Sequence, residues 1–334
     1  MQPIKNPIAR FFIYLVLLLF VFYSIVPFFW TTLQSLKTVR QANSRSPLFF
    51  FKPTFKNYSD LWLDATPENL ETLAIGLVAI VIVLVLIALL ANRIPVPNGV
   101  VYFGVLGIAF LTLRNIPKYV ETAEFYDYFL NTLIVTVGTV IVSISIGCLA
   151  GYALARYSGI DGVVILVMAL GFRALPRMAF VLPYFWLGQR SGLHDSYALL
   201  IICLVAVNQP FTIWMLRSFF MDIPREVEES AMVDGCNRLT AFLRVIIPIT
   251  WPGIISTALF TLLLAYNEFL LVRILTQSKW TLPVAIAQFT GGEDPGHITL
   301  ASAASVSATL PIVIVILFFQ KQLVKGLAAG AVKG

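Results

Sequence analysis

The sequence predicts an all-α polytopic membrane protein with about eight spans. Of its 334 residues 59% are hydrophobic, mean hydropathy is +0.87, and only 12% are charged. Soluble globular chains are roughly a quarter charged. The apolar residues are also grouped into runs long enough to cross a bilayer, which takes about 20 residues of helix.

Charge-free runs lie at residues 11–36, 72–92, 94–113, 128–155, 196–216, 245–267 and 298–320. An eighth, 162–188, is apolar but interrupted by Arg173 and Arg177. The run at 94–113 holds Pro95, Pro97 and Asn98, so its helix is expected to start near Gly99. The first run exceeds the core of a signal peptide and has no small-residue cleavage site after it, so it reads as a retained helix. The expected organisation is 1–63 (tail, first span and outside loop), 64–127 (two further spans), 128–320 (the main run of spans, with a polar loop at 222–247) and 321–334 (tail).

Several chemistries are excluded early. Cys148, Cys203 and Cys236 have neither metal-like nor disulfide-like spacing, and two of them sit inside spans. With only His194 and His297, histidine-based metal binding is not expected. A net charge of +6 follows topology and anionic lipid headgroups, and no basic run suggests nucleic acid. No phosphate-cradling glycine–lysine loop occurs, and no serine–histidine, HExxH or paired-carboxylate pattern supports an intramembrane enzyme. An even number of spans places both termini on one side, expected to be cytoplasmic, although bases divide almost evenly between the two sides.

One stretch breaks the pattern: "PREVEESAMVDGCNR", residues 224–238. Asp222 is positioned to cap a helix, Pro224 suits its first turn, and Glu226, Glu228 and Glu229 sit near its positive end. Gly235 is placed to end it in a left-handed conformation. A second short helix is expected from Arg238 or Leu239 to Ile246, ahead of Pro248 and Pro252. Val227 and Ala231, and then Phe242 and Ile246, give each helix a narrow apolar stripe. Such stripes bury on the membrane surface, under the protein's own bundle, or in a partner's cleft. A surface helix carries bases on its polar face, whereas this one carries acids, which favours docking on a basic protein partner.

The same residues resemble the EAA loop of ABC-importer permeases, in which a coupling helix sits in a groove of the ATPase subunit. The triplet here is Glu229-Ser230-Ala231, with serine for the usual first alanine, followed by Asp234-Gly235 and then Pro248 and Pro252. Further stretches are similar to the carbohydrate-uptake members: "NTLIVTVGTVIVSISIGCLAGYALARYSG" (131–159), "FRALPRMAFVLPYFWLGQRSGLHDSY" (172–197), "NQPFTIWMLRSFFMDIP" (208–224), "AYNEFLL" (265–271) and "KGLAAGAVKG" (325–334). The tail resembles the smaller of the paired permeases of maltose-type transporters. The resemblance implies a type I importer core of six helices, to which 64–127 adds two. It also implies ATPase-coupling roles for Glu226, Glu228, Glu229, Ser230, Ala231, Asp234 and Gly235. The implied partners are a homologous second permease, two ATPase subunits that carry the ATP and Mg, and an extracytoplasmic solute-binding protein. No cofactor is expected in this chain, which would lie in the inner membrane.

Ionisable and amide groups inside spans are costly and read as functional candidates. Asn131, Arg173, Tyr184, Asn208, Asn267 and Glu268 are candidates for the path of a carbohydrate-like solute. Arg173 and Arg177, four residues apart, are expected on one helix face; they could equally snorkel or sit at a kink made by Pro176. Glu268 could instead pair with a base, and Asn208-Gln209-Pro210 could break its helix. Tyr184, Phe185 and Trp186 suit sugar stacking or an interfacial aromatic belt. The loop 276–300, with Gln288, Gly291 and Gly292 near its tip, is the segment the resemblance assigns to the binding protein. Other readings are a permease for a polyol or a compatible-solute glycoside such as glucosylglycerol, an ion-coupled secondary transporter using Arg173 and Glu268, and a membrane scaffold.

Overall fold

The computed structural model describes residues 7–45, 48–63, 107, 110–118, 122–157, 159–290 and 297–331. The expected span at 72–92 and most of that at 94–113 lie outside the described residues. Among the described residues there is no strand, only an isolated antiparallel bridge between Leu63 and Thr122. Among the described residues five helices are long and apolar enough to cross a membrane, or six spans if one sharply bent pair counts as one. The chain divides into two compact units, Met1–Asp127 with Ile286–Thr309, and Tyr128–Ala285 with Leu310–Gly334.

In the first unit, α1 (Pro7–Ser35) is apolar all round, and none of its most hydrophobic window is buried. Ser24, Thr31 and Thr32 donate their hydroxyls to the carbonyls of Phe20, Pro27 and Phe28, so these three hydroxyls are satisfied within the helix. Helix ends leave carbonyls unpaired. Here the buried Asn57, on α3 (Lys56–Trp62), donates to Ser35 O and Lys37 O, both at 2.8 Å. Between them α2 (Val39–Ala42) carries a capping box made by Thr38 and Gln41. Lys37, 1% exposed, lies under the Trp30 and Phe51 rings at 4.7 and 5.3 Å.

The second unit holds most of α4 (Glu124–Arg156), α5 (Ile160–Arg173), α6 (Met178–Ser191), α7 (Tyr197–Met221), α8 (Arg225–Val233), α9 (Arg238–Ala241), α10 (Ile247–Tyr266) and α11 (Leu270–Leu275). The chain continues through α12 (Leu282–Thr290) and α13 (His297–Ala331). Two apolar clusters anchor this unit. One gathers Val135, Val181, Leu200, Leu204, Leu271 and Leu275 with their neighbours; the other gathers Cys148, Leu216, Phe220, Phe242, Ile246 and Ile254.

Between these clusters runs a polar seam. Thr132, Thr136, Thr139 and Ser143 on α4 are at most 4% exposed. Ser143 donates to Gln209 Oε1 at 2.9 Å and Thr212 Oγ1 at 3.2 Å, and Thr212 meets Thr261 of α10 at 3.0 Å. Gly147 and Gly151 continue the same face of α4. A Cβ at Gly151 would lie 3.1 Å from Arg217 N and 3.3 Å from Ile213 O, so a side chain there would press α4 and α7 apart by a few tenths of an ångström. Helices in lipid gain little from hydrophobic contrast and associate through such small and hydroxylated faces.

Four local expectations need correction. The run at 162–188 is not one kinked helix, because α5 and α6 meet at 95°. Pro176 lacks an N–H and disfavours helix at Leu175, so α5 stops at Arg173. Consequently Arg173 and Arg177 do not share a helix face: the first ends α5 and the second caps α6. Asn208-Gln209-Pro210 does not break α7, which runs through it to Met221. Nor does the second short helix stop before Pro248. Residues Phe242–Ile246 widen into a π turn, with Ile247 N–H donating to Phe242 O, and the chain passes straight into α10. The wider turn accommodates a proline that would otherwise meet the carbonyl four residues back.

Candidate functional site

The acidic stretch forms α8 and stands between the ends of α7 and α9. Asp222 does not cap it: Asp222 closes the C-terminus of α7, and Pro224 occupies the N-cap position of α8 without a side-chain bond. Gly235 behaves as expected, with φ +90°. Gly235 N–H donates to Met232 O and Cys236 N–H to Ala231 O, closing the helix end. Asn237 then caps α9, its Oδ1 accepting from Thr240 N–H at 2.8 Å.

The apolar stripe is buried under the protein's own bundle. Ala231 is 7% exposed, and Val227 packs on the cluster of Phe220, Phe242 and Ile246. Glu226, Glu229, Ser230, Asp234 and Gly235 remain exposed, and Ser230 satisfies its hydroxyl on Glu226 O at 2.8 Å. Val233 at the end of α8 is 87% exposed.

Glu228 departs from the expectation of an outward acidic face: it turns inward and is 8% exposed. On an α-helix residues 227, 228 and 231 share one side, so Glu228 follows the apolar stripe inward. Its carboxylate accepts from Arg156 Nε at 2.7 Å and from the Tyr152 hydroxyl, both on the last turns of α4. Burial alone would raise this carboxyl's pKa, but the Tyr152 and Arg156 hydrogen bonds and the Arg156 charge outweigh it and hold it below its ordinary value.

Guanidinium groups cross-tie the surrounding helix ends. Arg156 Nη1 reaches Phe220 O and Ile223 O, each at 3.3 Å. Arg225 donates to Arg156 O at 3.1 Å, and Arg217 to Leu154 O at 3.3 Å. Cations at the negative ends of α4 and α7 also complement the helix dipoles. Beside this network opens a cavity of about 470 Å³, lined by Tyr152, Arg156, Arg225, Glu229, Met232 and Arg238 among others. Its lining mixes the acids of α8 with Arg156, Arg225 and Arg238.

The six residues expected along a solute path are placed very differently. Asn131 is buried and accepts from the Tyr197 hydroxyl at 2.7 Å while donating to Trp280 O at 3.0 Å, so it ties helices together. Asn208 is fully buried, with no hydrogen bond to its side-chain amide among the described residues. Glu268, 6% exposed, lies 2.7 Å from Arg177 Nη1, an ion pair rather than an aligned hydrogen bond, and also accepts from Leu271 N–H at 3.2 Å. Arg173 lies over the Phe211 ring at 4.7 Å. Tyr184 is half-buried and stacks on Phe180. Asn267 is exposed at the end of α10.

The segment 276–300 is not all loop: it contains α12, with Gln288 exposed on it. Gly291 and Gly292 lie outside the described residues. Sequence reasoning missed Tyr152 and Arg156. Their spacing of four at the end of an apolar run was a usable signal, as was the 3–4 spacing of small and hydroxylated residues along α4.

Long apolar helices, a sharply bent helix pair and a short polar helix held against the ends of α4 and α7 define the second unit as part of a polytopic membrane protein. Residues 143–329 match the family described as "Binding-protein-dependent transport system inner membrane component". The chain is 35% identical over 229 residues to the trehalose/maltose transport system permease protein MalG of Thermococcus litoralis, covering 67% of this chain and 82% of that protein. It is 36% identical over 229 residues to the diacetylchitobiose uptake system permease protein DasC of Streptomyces coelicolor, with the same two coverages. Among solved structures, a chain of a bacterial ABC transporter involved in the import of the acidic polysaccharide alginate superposes with a TM-score of 0.65, over 96% of this chain and 99% of that one. At 18% identity that likeness concerns the fold alone. The protein belongs to the binding-protein-dependent transport system inner membrane components: it is an ABC-transporter permease subunit.

Proposed function

We propose that this permease imports a carbohydrate or closely related solute across the inner membrane, with both termini cytoplasmic. It acts beside a homologous second permease, two ATPase subunits that bind ATP and Mg, and a solute-binding protein on the outer side. Support for the solute class comes from the relatives, whose names specify trehalose/maltose and diacetylchitobiose. Support for the drive comes from one observation: α8 presents Glu226, Glu229, Ser230 and Asp234 outward while its apolar stripe is held under the bundle. A helix so anchored and so exposed is built to be pushed.

Closure of the ATPase dimer would displace α8, and the bundle would alternate access to its solute path. Of the path candidates, Asn267 remains exposed and Arg173 partly so, and these two are the residues proposed to meet hydroxyls. Gln288, Gly291 and Gly292 are proposed to face the binding protein. In the assembled importer, Glu229→Lys should abolish ATP-dependent uptake while the chain still folds and inserts. Unchanged uptake would overturn the docking role of α8. Uptake by this chain alone under an ion gradient would instead support secondary transport, a reading disfavoured by the family match.

A further inference from the structure

A nine-residue helix is too short to hold its own structure in water, so α8 moves only with what grips it. Two kinds of contact grip it. The apolar stripe of Val227 and Ala231 is non-directional and slides at little cost. The contacts of Glu228 are directional: one carboxylate receives a guanidinium and a phenol hydroxyl, both from α4. Charge-assisted bonds of this kind fix geometry more tightly than neutral ones.

We propose that Tyr152 and Arg156 are positioning residues that hand the displacement of α8 to α4, through a strap whose buried anchor is Glu228. This rests on the reading of α8 as the ATPase-docking helix and deepens it by naming the load path. Stability alone is a weak reason to bury an ion pair, because desolvation offsets most of the attraction. A fixed mechanical linkage is a better one. Arg156 is suited to it because the same guanidinium also reaches Phe220 O and Ile223 O, while Arg225 returns a bond to Arg156 O. The last turns of α4 and α7 and the start of α8 are thereby tied into one body. Above the strap, Gly151 brings α4 to near-backbone contact with α7 and Gly147 seats the Leu216 and Thr212 side chains, so a push on α4 is not absorbed by loose packing. Glu229, one residue further along, stays free for the partner.

The test uses the complete importer, with both permeases, the ATPase and the binding protein in lipid nanodiscs. Hydrogen–deuterium exchange is followed in α8 and in the last turns of α4, with and without trapping of the ATPase by ATP and vanadate. In the natural sequence both segments should change protection on trapping. In Tyr152→Phe and in Glu228→Gln the α8 response should persist while the α4 response falls by about tenfold, the loss expected for one charge-assisted bond. Exchanging the partners, Arg156→Glu with Glu228→Arg, should give a larger α4 response than either single exchange, and a merely structural role would instead show the loss in the thermal stability of the permease alone rather than in the trapping response. Equal α4 responses in the variants and the natural sequence would overturn the strap and leave the docking reading standing. Absence of any α8 response in the natural complex would overturn the docking reading itself. Tyr152→Phe removes a single hydroxyl, so it carries the test even where Glu228→Gln assembles poorly.

Discussion

The carboxylate of Asp195 and the backbone of Ser278 meet across 83 residues, Oδ1 accepting the N–H at 3.0 Å and Oδ2 the Ser278 hydroxyl at 2.7 Å. The same carboxylate accepts from Gln277 N–H at 2.9 Å and from the Thr276 hydroxyl. One aspartate therefore pins the loop after α6 to the loop after α11. Asp195 does so from φ +58°, a conformation that Asp and Asn tolerate better than other side chains. Asp195→Asn should lower stability by on the order of 2 kcal/mol, the scale of hydrogen bonds to a charged group. Asp195→Ala should cost more, since it adds backbone strain. Thermal unfolding in detergent measures both.

The same site predicts a pH dependence. Burial pushes the Asp195 carboxyl up, but the Ser278, Thr276 and Gln277 donors prevail and hold it well below the usual carboxylate range. A depressed folded value stabilises the protein above the unfolded value of about 4, and this stability is lost as pH falls through the folded value. The contribution of Asp195 to the unfolding midpoint should therefore be constant above about pH 5 and shrink in more acidic buffer. In Asp195→Asn that acid-dependent part should vanish. A drop of equal size in the variant would show that other groups cause it.

Gly151 sets the distance between α4 and α7. A valine there would place its branched carbon where Arg217 N and Ile213 O already stand at 3.1 and 3.3 Å from an ideal Cβ. Gly151→Val should cost about 1–3 kcal/mol or more, as overpacking does. The yield of monodisperse protein should fall with it. A neutral effect in size-exclusion and thermal assays would mean that the helices separate freely.

Glu268 and Arg177 form a pair in which the acid is 6% exposed and the base 34%. Removing one partner leaves the other uncompensated. Arg177→Met should destabilise by on the order of 2 kcal/mol, less than a fully buried pair would because Arg177 retains some solvent. Adding Glu268→Gln should recover part of that loss. Thermal melts of the single and double variants, taken as a cycle, decide it.

Val233 exposes most of its side chain at the tip of α8. Where the ATPase covers it, burial of a valine is worth roughly 1.5–3 kcal/mol. Val233→Asp should then weaken capture of the ATPase by at least about tenfold, with no change in the melting of the permease alone. Equal capture would place the docking contact elsewhere on the knob.

Sequence and structure divide the protein along physical lines. Composition and run length alone determined that the chain is helical and spans a membrane, because a bilayer demands uninterrupted apolar helix and little else. The acidic interruption at 224–238 and its glycine stop were equally legible, since Gly235 answers a local backbone requirement and the apolar stripe answers helical periodicity. Only the tertiary structure decided which polar groups face one another. Glu228 reads like its neighbours Glu226 and Glu229 until α4 supplies Arg156 and Tyr152 from 72 and 76 residues away. Asn131 and Glu268 resemble solute contacts until Tyr197, Trp280 and Arg177 occupy them. The continuity of α10 through Pro248 likewise depends on a π turn that no local propensity announces. Helix formation in lipid is decided residue by residue, whereas partners for a buried charge are decided by which helices arrive beside it.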